Sequence, residues 1–279
     1  MNNLQEKAWQ IRQDIVSLIY KAGAGHIGGD MSVTDILVTL YYKHMNVSPE
    51  NMQDKNRDRF LLSKGHCTEA LYCVLADRGF FPKEELLSNY SGYLSPFIGH
   101  PSHKINGVEL SSGSLGHGLP VGVGMALAGK MDAAPYRVYV VMGDGELAEG
   151  SVWEGAMAAG HYKLDNLTAF VDRNRLQISG STEQVMAQDS QEDRWRAFGW
   201  HVISVDGNST AALDFAVQEA KNIKNKPTMI IANTTKGCGV SFMENQASWH
   251  HKALDTEHYE QAMAELEERR VQAHEQDCK

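Results

Sequence analysis

The stretch 138-VYVVMGDGELAEGSVWEGAMAAGHYKLDNLTAFVDRNRL-176 decides the fold. It opens on an unbroken apolar run, Val138 to Met142, which breaks at Gly143-Asp144-Gly145-Glu146. A helical pattern over Val152 to Lys163 follows, then a second apolar run, Leu167 to Val171, that ends in Asp172-Arg173-Asn174. Apolar runs without polar alternation are expected of strands covered on both faces. In a right-handed strand–helix–strand unit both strand ends reach the same edge of the sheet. Asp144 and Asn174, thirty positions apart, then become neighbours. One carboxylate and one amide oxygen are hard donors suited to Mg²⁺, which also favours phosphate oxygens and water. The flanking glycines let a phosphate approach backbone N–H groups. Gly-Asp-Gly alone reads more readily as a turn after a strand; the asparagine closing the second strand makes the pair a candidate cation and phosphate site.

The same alternation extends outward. Leu4, Ala8, Ile11, Ile15, Leu18 and Ile19 recur at helical spacing, and this first helix should stop near Gly23 and Gly25. A second helix is predicted over Asp30 to Tyr42, capped by Ser32. Further strands are expected at Phe60 to Leu62, Val202 to Val205 and Met229 to Ala232. Helices are expected at Cys67 to Arg78, Gly118 to Met131 and Ala211 to Ile223. The prediction is an α/β fold with a doubly wound parallel sheet, a single domain over residues 1–279. Residues 255–279 read as a charged helix and a polar tail.

Composition narrows the function. The 279 residues carry 26 basic and 35 acidic side chains, a net charge of −9, which disfavours a nucleic-acid-coating role. No segment approaches the ~20 apolar residues of a membrane span, and the first dozen residues do not form a signal peptide. Four cysteines, Cys67, Cys73, Cys238 and Cys278, form no Cys-x-x-Cys pair, so neither a zinc cage nor a disulfide framework is expected. A reduced, cytoplasmic protein is the simplest reading.

Two more features carry chemistry. Ser111-Ser112-Gly113-Ser114-Leu115-Gly116-His117-Gly118 leads into an apolar helix, and small residues at a helix start leave N–H groups free for an anion. Histidine is abundant, with twelve residues, and several follow glycine, among them His26, His66, His100 and His117. Such a cluster suits hydrogen bonding and proton transfer on a polyhydroxy substrate. A lone histidine is more often structural, but four such pairs at element ends are harder to explain that way.

Together these motifs resemble the thiamine diphosphate signature, Gly143-Asp144-Gly145 through Asn174. The wider set is similar to the N-terminal half of transketolases: Ala24-Gly25-His26, Ser63-Lys64-Gly65-His66, Gly99-His100-Pro101, Gly113-Ser114-Leu115-Gly116 and Trp249-His250. The resemblance implies a thiamine diphosphate-binding fold. It implies that Asp144, Asn174 and the Leu176 carbonyl hold Mg²⁺, or Ca²⁺ or Mn²⁺ in its place. Gly143, Gly145, Ser114, Leu115, Gly116 and Ile178 would contact the cofactor, and His66 and His250 would hold its diphosphate end. His26 and His100 would face the substrate channel, so that His26, His66, His100 and His250 form the catalytic set. Glu149 and Glu154 resemble acidic residues that bridge the two sites of a dimer, and Lys236 and Lys252 basic residues near cofactor and substrate. His251 stands where the family usually has glycine.

Full-length transketolases carry a second domain with the glutamate that protonates the aminopyrimidine ring, and this chain offers no candidate for it. Its polar ending reads as a natural terminus. The resemblance therefore implies the first subunit of a split transketolase. A separate C-terminal transketolase subunit would supply the activating glutamate, as the β chain of an α₂β₂ heterotetramer acting on sugar phosphates, with no nucleic acid or membrane partner. The rival readings are the α subunit of a 2-oxoacid dehydrogenase E1 component, which has no need of several histidines for a polyol, 1-deoxyxylulose-5-phosphate synthase, which would need the absent domains, and a catalytically silent binding protein of the same fold.

Overall fold

The computed structural model describes residues 3–188 and 190–277; Cys278 lies outside them. The chain begins with helix α1 (Leu4–Ala22), whose Asn3 side chain accepts from the N–H groups of Gln5 and Glu6, and which ends on left-handed Gly23. Helix α2 (Ile27–Thr39) follows and widens into a π-helical turn, Leu40–His44. The remaining elements are β1 (Arg59–Leu62), α3 (Thr68–Asp77), α4 (Lys83–Asn89), α5 (Gly118–Met131), β2 (Val138–Gly143), α6 (Gly150–His161) and β3 (Leu167–Arg173). A two-residue hairpin, β4 (Leu176–Gln177) and β5 (Gly180–Ser181), and a short α7 (Thr182–Val185) lead to α8 (Gln191–Ala197). The chain closes with β6 (His201–Asp206), α9 (Thr210–Asn222), β7 (Thr228–Asn233) and α10 (Thr256–Asp277).

Five strands form one parallel sheet in the order β1-β2-β3-β7-β6. Their side chains alternate between two cores, as strand geometry demands. Tyr139, Val141, Phe170 and Ile230 face a core shared with α1, α2, α3 and α9. Val138, Val140, Ala169 and Ile231 face a second core with α5, α6 and Trp195 of α8. Helices thus cover both faces, which is why β2 and β3 read as continuous apolar runs. All five expected strands are present, each within two residues of its predicted bounds.

One expectation is corrected. The second helix starts at Ile27, before the predicted Asp30, and Ser32 is not its cap. All thirteen residues of α2 are buried, so no polar face marks where the helix begins. Ser32 lies mid-helix, where its hydroxyl donates to Asp172 at 2.6 Å.

Candidate functional site

A cavity of about 340 Å³ opens at the carboxyl ends of β2 and β3. Parallel pairing sets Gly143 opposite Asp172, so the residues just after each strand share one edge. Asp144 and Asn174 both line the cavity, with Leu176 from β4 beside them. The two strand tips are tied together directly: the Arg175 N–H donates to Asp144 Oδ2 at 2.5 Å. Asp144 Oδ1 accepts from the Gly145 N–H at 2.8 Å. Asn174 Oδ1 accepts from the Leu176 N–H at 3.1 Å, and its amide nitrogen reaches Ser32 Oγ at 3.4 Å. The geometric expectation of convergence holds.

Three buried charged residues that the sequence reading did not single out organise this end. Asp172 pairs with Lys64 and accepts from the hydroxyls of Ser32 and Thr234. Burial would lower the Lys64 pKa, but the adjacent Asp172 outweighs it and keeps the ammonium charged. Burial, aided by Asp172, pushes the Asp144 carboxyl up to about 6. Glu146 stitches three loops: it accepts from Ser63 Oγ, from the Gly116 N–H at 2.7 Å and from the Gly143 N–H at 3.1 Å. The signal for these residues was a charge set against an apolar run, visible at Lys64 and Asp172 but shared with many surface residues.

The opposite wall is built of imidazoles. His26, His66, His100 and His250 all line the cavity. His26 sits among them, its ring centroid 5.5 Å from His66, 6.1 Å from His100, 5.7 Å from His250 and 4.5 Å from His251. His26 comes from the start of α2, His66 from the turn after β1, His100 from the long connection after α4, and His250 from the turn before α10. Burial first, then His251 and His100, lowers His26 to about 4. Burial and Lys236 take His250 down to about 3. Burial and Lys64 hold His66 well below its ordinary value, and burial alone lowers His100. These four rings are therefore neutral near pH 7, each able to donate and accept. Lys236, itself buried with a lowered pKa, lies 3.0 Å from His250 Nδ1. Lys236 can only donate, so His250 accepts at Nδ1 and carries its proton on Nε2.

Gly143, Gly145, Leu115 and Ile178 also line the cavity. Ile178 stands at the tip of the β4–β5 hairpin, 75% exposed. Several expected residues lie off the wall. Ser114 and Glu149 are exposed. Gly116 is turned into a left-handed conformation, φ 81°, where a side chain would meet Ser151 and Glu149 at 2.6 Å. Its role here is to turn the loop so that its N–H meets Glu146. Glu154 is exposed on α6, and Lys252 stacks on Trp249, 4.2 Å from the ring centroid. Cys67, Cys73 and Cys238 are buried free thiols. No helix among the described residues is long and apolar enough to cross a membrane.

Residues 4–270 match the transketolase, thiamine diphosphate-binding domain family. The chain is 48% identical to the A-type subunit of the apulose-4-phosphate transketolase of Phocaeicola vulgatus, over 96% of this chain and 95% of the relative. It is 44% identical to the 6-deoxy-6-sulfo-D-fructose transketolase subunit SqwG of a Clostridium species, over 95% and 96%. Against human transketolase the identity is 41%, over 94% of this chain and 42% of the relative. The transketolase structure from Campylobacter jejuni superposes with a TM-score of 0.88 at 30% identity, covering 98% of this chain and 46% of that one. The chain belongs to the transketolase family, and its fold is that of the family's thiamine diphosphate-binding domain.

Proposed function

We propose that this chain is the N-terminal subunit of a two-subunit transketolase that moves a two-carbon ketol unit from a ketose phosphate to an aldose. One observation carries the reading: a single cavity joins paired oxygen donors at two strand tips to a wall of four neutral histidines. The full-length match to relatives that are each named as one subunit of a transketolase supports the division into two chains.

The donor set fits thiamine diphosphate and a divalent cation. A buried carboxylate raised by burial, a fixed amide oxygen and the Leu176 carbonyl make three hard donors, and Mg²⁺ favours completing its shell with phosphate and water oxygens. Two-phosphate charge would be met by the cation and by Lys236 with His250. Bound there, the cofactor supplies the electron sink for carbon–carbon cleavage. The chain's own residues do the rest. His66 and His250 hold the diphosphate end; the Ile178 tip covers the cofactor rings. His26 and His100 bind sugar hydroxyls and pass protons at neutral pH. Their neutral rings suit this, since an imidazole that carries one proton can receive at one nitrogen and give at the other.

A separate C-terminal subunit completes the site with the activating glutamate, in an α₂β₂ assembly in the cytoplasm. Glu149 and Glu154, both exposed, are available to a neighbouring chain. The test is turnover of a ketose phosphate donor and an aldose acceptor with thiamine diphosphate and Mg²⁺. The expected result is no turnover by this chain alone and restoration by a C-terminal transketolase subunit. Full turnover without that subunit overturns the proposal.

A further inference from the structure

Behind His26 lies a pair of acids that the mechanism above does not use. Asp30 on α2 and Glu69 on α3 are both fully buried, and each acid perturbs the other's carboxyl group. Every other polar contact of the pair is accounted for by donors. The Ala70 N–H donates to Asp30 Oδ1 at 2.9 Å. Glu69 Oε1 accepts from the Tyr90 hydroxyl at 2.7 Å and from the His26 N–H at 3.2 Å. One oxygen remains on each acid, Asp30 Oδ2 and Glu69 Oε2, buried and with no N–H or O–H donor. Two facing carboxylates cannot satisfy each other, because an ionised carboxylate only accepts. A single proton between them satisfies both oxygens at once and leaves one negative charge where two would repel.

We propose that Asp30 and Glu69 share one proton and act as positioning residues, with Glu69 fixing the backbone of His26 and the Tyr90 end of the segment that leads to His100. Burial and Glu69 raise the Asp30 carboxyl well above its ordinary value, and burial raises Glu69 as well, so both shifts favour keeping a proton within the pair. Glu69 can come this close because residue 25 is glycine: a Cβ there would stand 2.8 Å from Glu69 Oε1 and 2.5 Å from the Ile19 side chain. Glu69 also belongs to the first turn of α3, directly after the turn that bears His66. One carboxylate thus ties together segments that bring three of the four imidazoles to the cavity. The shared proton matters because it satisfies Asp30 Oδ2 and Glu69 Oε2 without a second charge, while Glu69 Oε1 accepts from the two donors that set His26 and Tyr90.

The inference rests on His26 facing the sugar, and the test separates the two. The proteins are this chain and its variants with the C-terminal subunit, thiamine diphosphate and Mg²⁺. Difference infrared spectroscopy of wild type against Asp30→Asn at about pH 8, where an unpaired carboxyl is ionised, should show the carbonyl stretch of a protonated carboxylic acid. Absence of that band overturns the shared proton. In kinetics, Asp30→Asn should hold the donor KM within about threefold, because an amide N–H replaces the acid O–H. Glu69→Leu should raise the donor KM about tenfold or more, the cost of stranding two buried donors, with thiamine diphosphate affinity unchanged. Glu69→Gln keeps the accepting oxygen and should restore the donor KM. If Glu69→Leu does not fold, Tyr90→Phe removes one of the two donors and should give a smaller rise of the same kind. A band that is present together with an unchanged donor KM in Tyr90→Phe and Glu69→Leu overturns the positioning role and leaves the acid pair standing.

Discussion

At the strand-tip end of the cavity every charge has an opposite neighbour or a fixed donor. Asp172 gathers Lys64, Ser32 and Thr234; Asp144 takes two backbone N–H groups; Glu146 takes two more and a hydroxyl. The opposite wall has equally polar side chains in a similarly enclosed place, but its four imidazoles carry no charge, because burial, joined at His26, His66 and His250 by neighbouring histidines and lysines, depresses their pKa values. The difference follows from chemistry. A carboxylate or ammonium taken out of water must be paired, whereas an imidazole can give up its charge at little cost. The strand-tip end is therefore a preformed electrostatic cradle suited to a cation and a polyanion. The wall is a set of neutral donors and acceptors suited to hydroxyl groups.

The largest effect that can break this contrast is on stability. Lys64→Met leaves Asp172 buried with its charge unbalanced, and removing one partner of a buried pair costs about 3–5 kcal/mol. Urea unfolding of the cofactor-free chain should show that loss. His66→Gln, on the other wall, keeps a polar side chain with no charge to orphan and should cost less than about 1.5 kcal/mol. Equal losses in the two variants would mean that the ion pair is not what holds the cradle together.

The two ends also differ in how legible they are in the sequence. Asp144 and Asn174 are legible because each lies one residue beyond an apolar strand, and parallel pairing of β2 and β3 does the rest. The histidines announce themselves by following glycine, but their meeting point depends on how α2, the β1 turn, the long segment after α4 and the turn before α10 pack. Lys64 and Asp172, 108 positions apart, gave no local sign that they pair. The Asp30–Glu69 contact is harder still, since a charged residue on a helix is ordinarily placed on its wet face. Ser32 misled for the opposite reason: a helix buried on every side has no amphipathic period to locate its start. Ser114 stands outside the cavity wall, in a loop that left-handed Gly116 turns so that its backbone meets Glu146.

A second contrast lies in binding. Asp144→Ala removes a hard donor from the strand-tip end. Replacing groups that merely orient a metal ligand typically costs 10–100-fold in affinity, so loss of the proposed ligand itself should cost about 100-fold or more. Calorimetry with thiamine diphosphate and Mg²⁺, in the presence of the C-terminal subunit, reads this directly. His26→Gln should leave the same affinity within about threefold while lowering kcat/KM for the ketose phosphate. Were His26→Gln to weaken the cofactor as much as Asp144→Ala, the division of the cavity into a cofactor end and a substrate wall would be wrong.

The smallest expected effect is the pH dependence of stability that neutral burial builds into the wall. His26 titrates at about 4 and His250 at about 3 in the folded chain, against 6.5 when unperturbed. Between those limits the unfolded chain binds more protons than the folded one, so stability falls as pH falls. The contribution is fully present above about pH 6.5 and is withdrawn progressively on acidification toward about pH 4. Many carboxylates titrate in the same range, so the informative quantity is the difference between wild type and His26→Gln. The variant has no imidazole to protonate at that position, and its Tm should decline less steeply between about pH 6.5 and pH 4.5. Parallel Tm curves for the two proteins would show that His26 is not held neutral by its surroundings. The contrast between a charged cradle and an uncharged wall would then fail at the ring that sits among all the others.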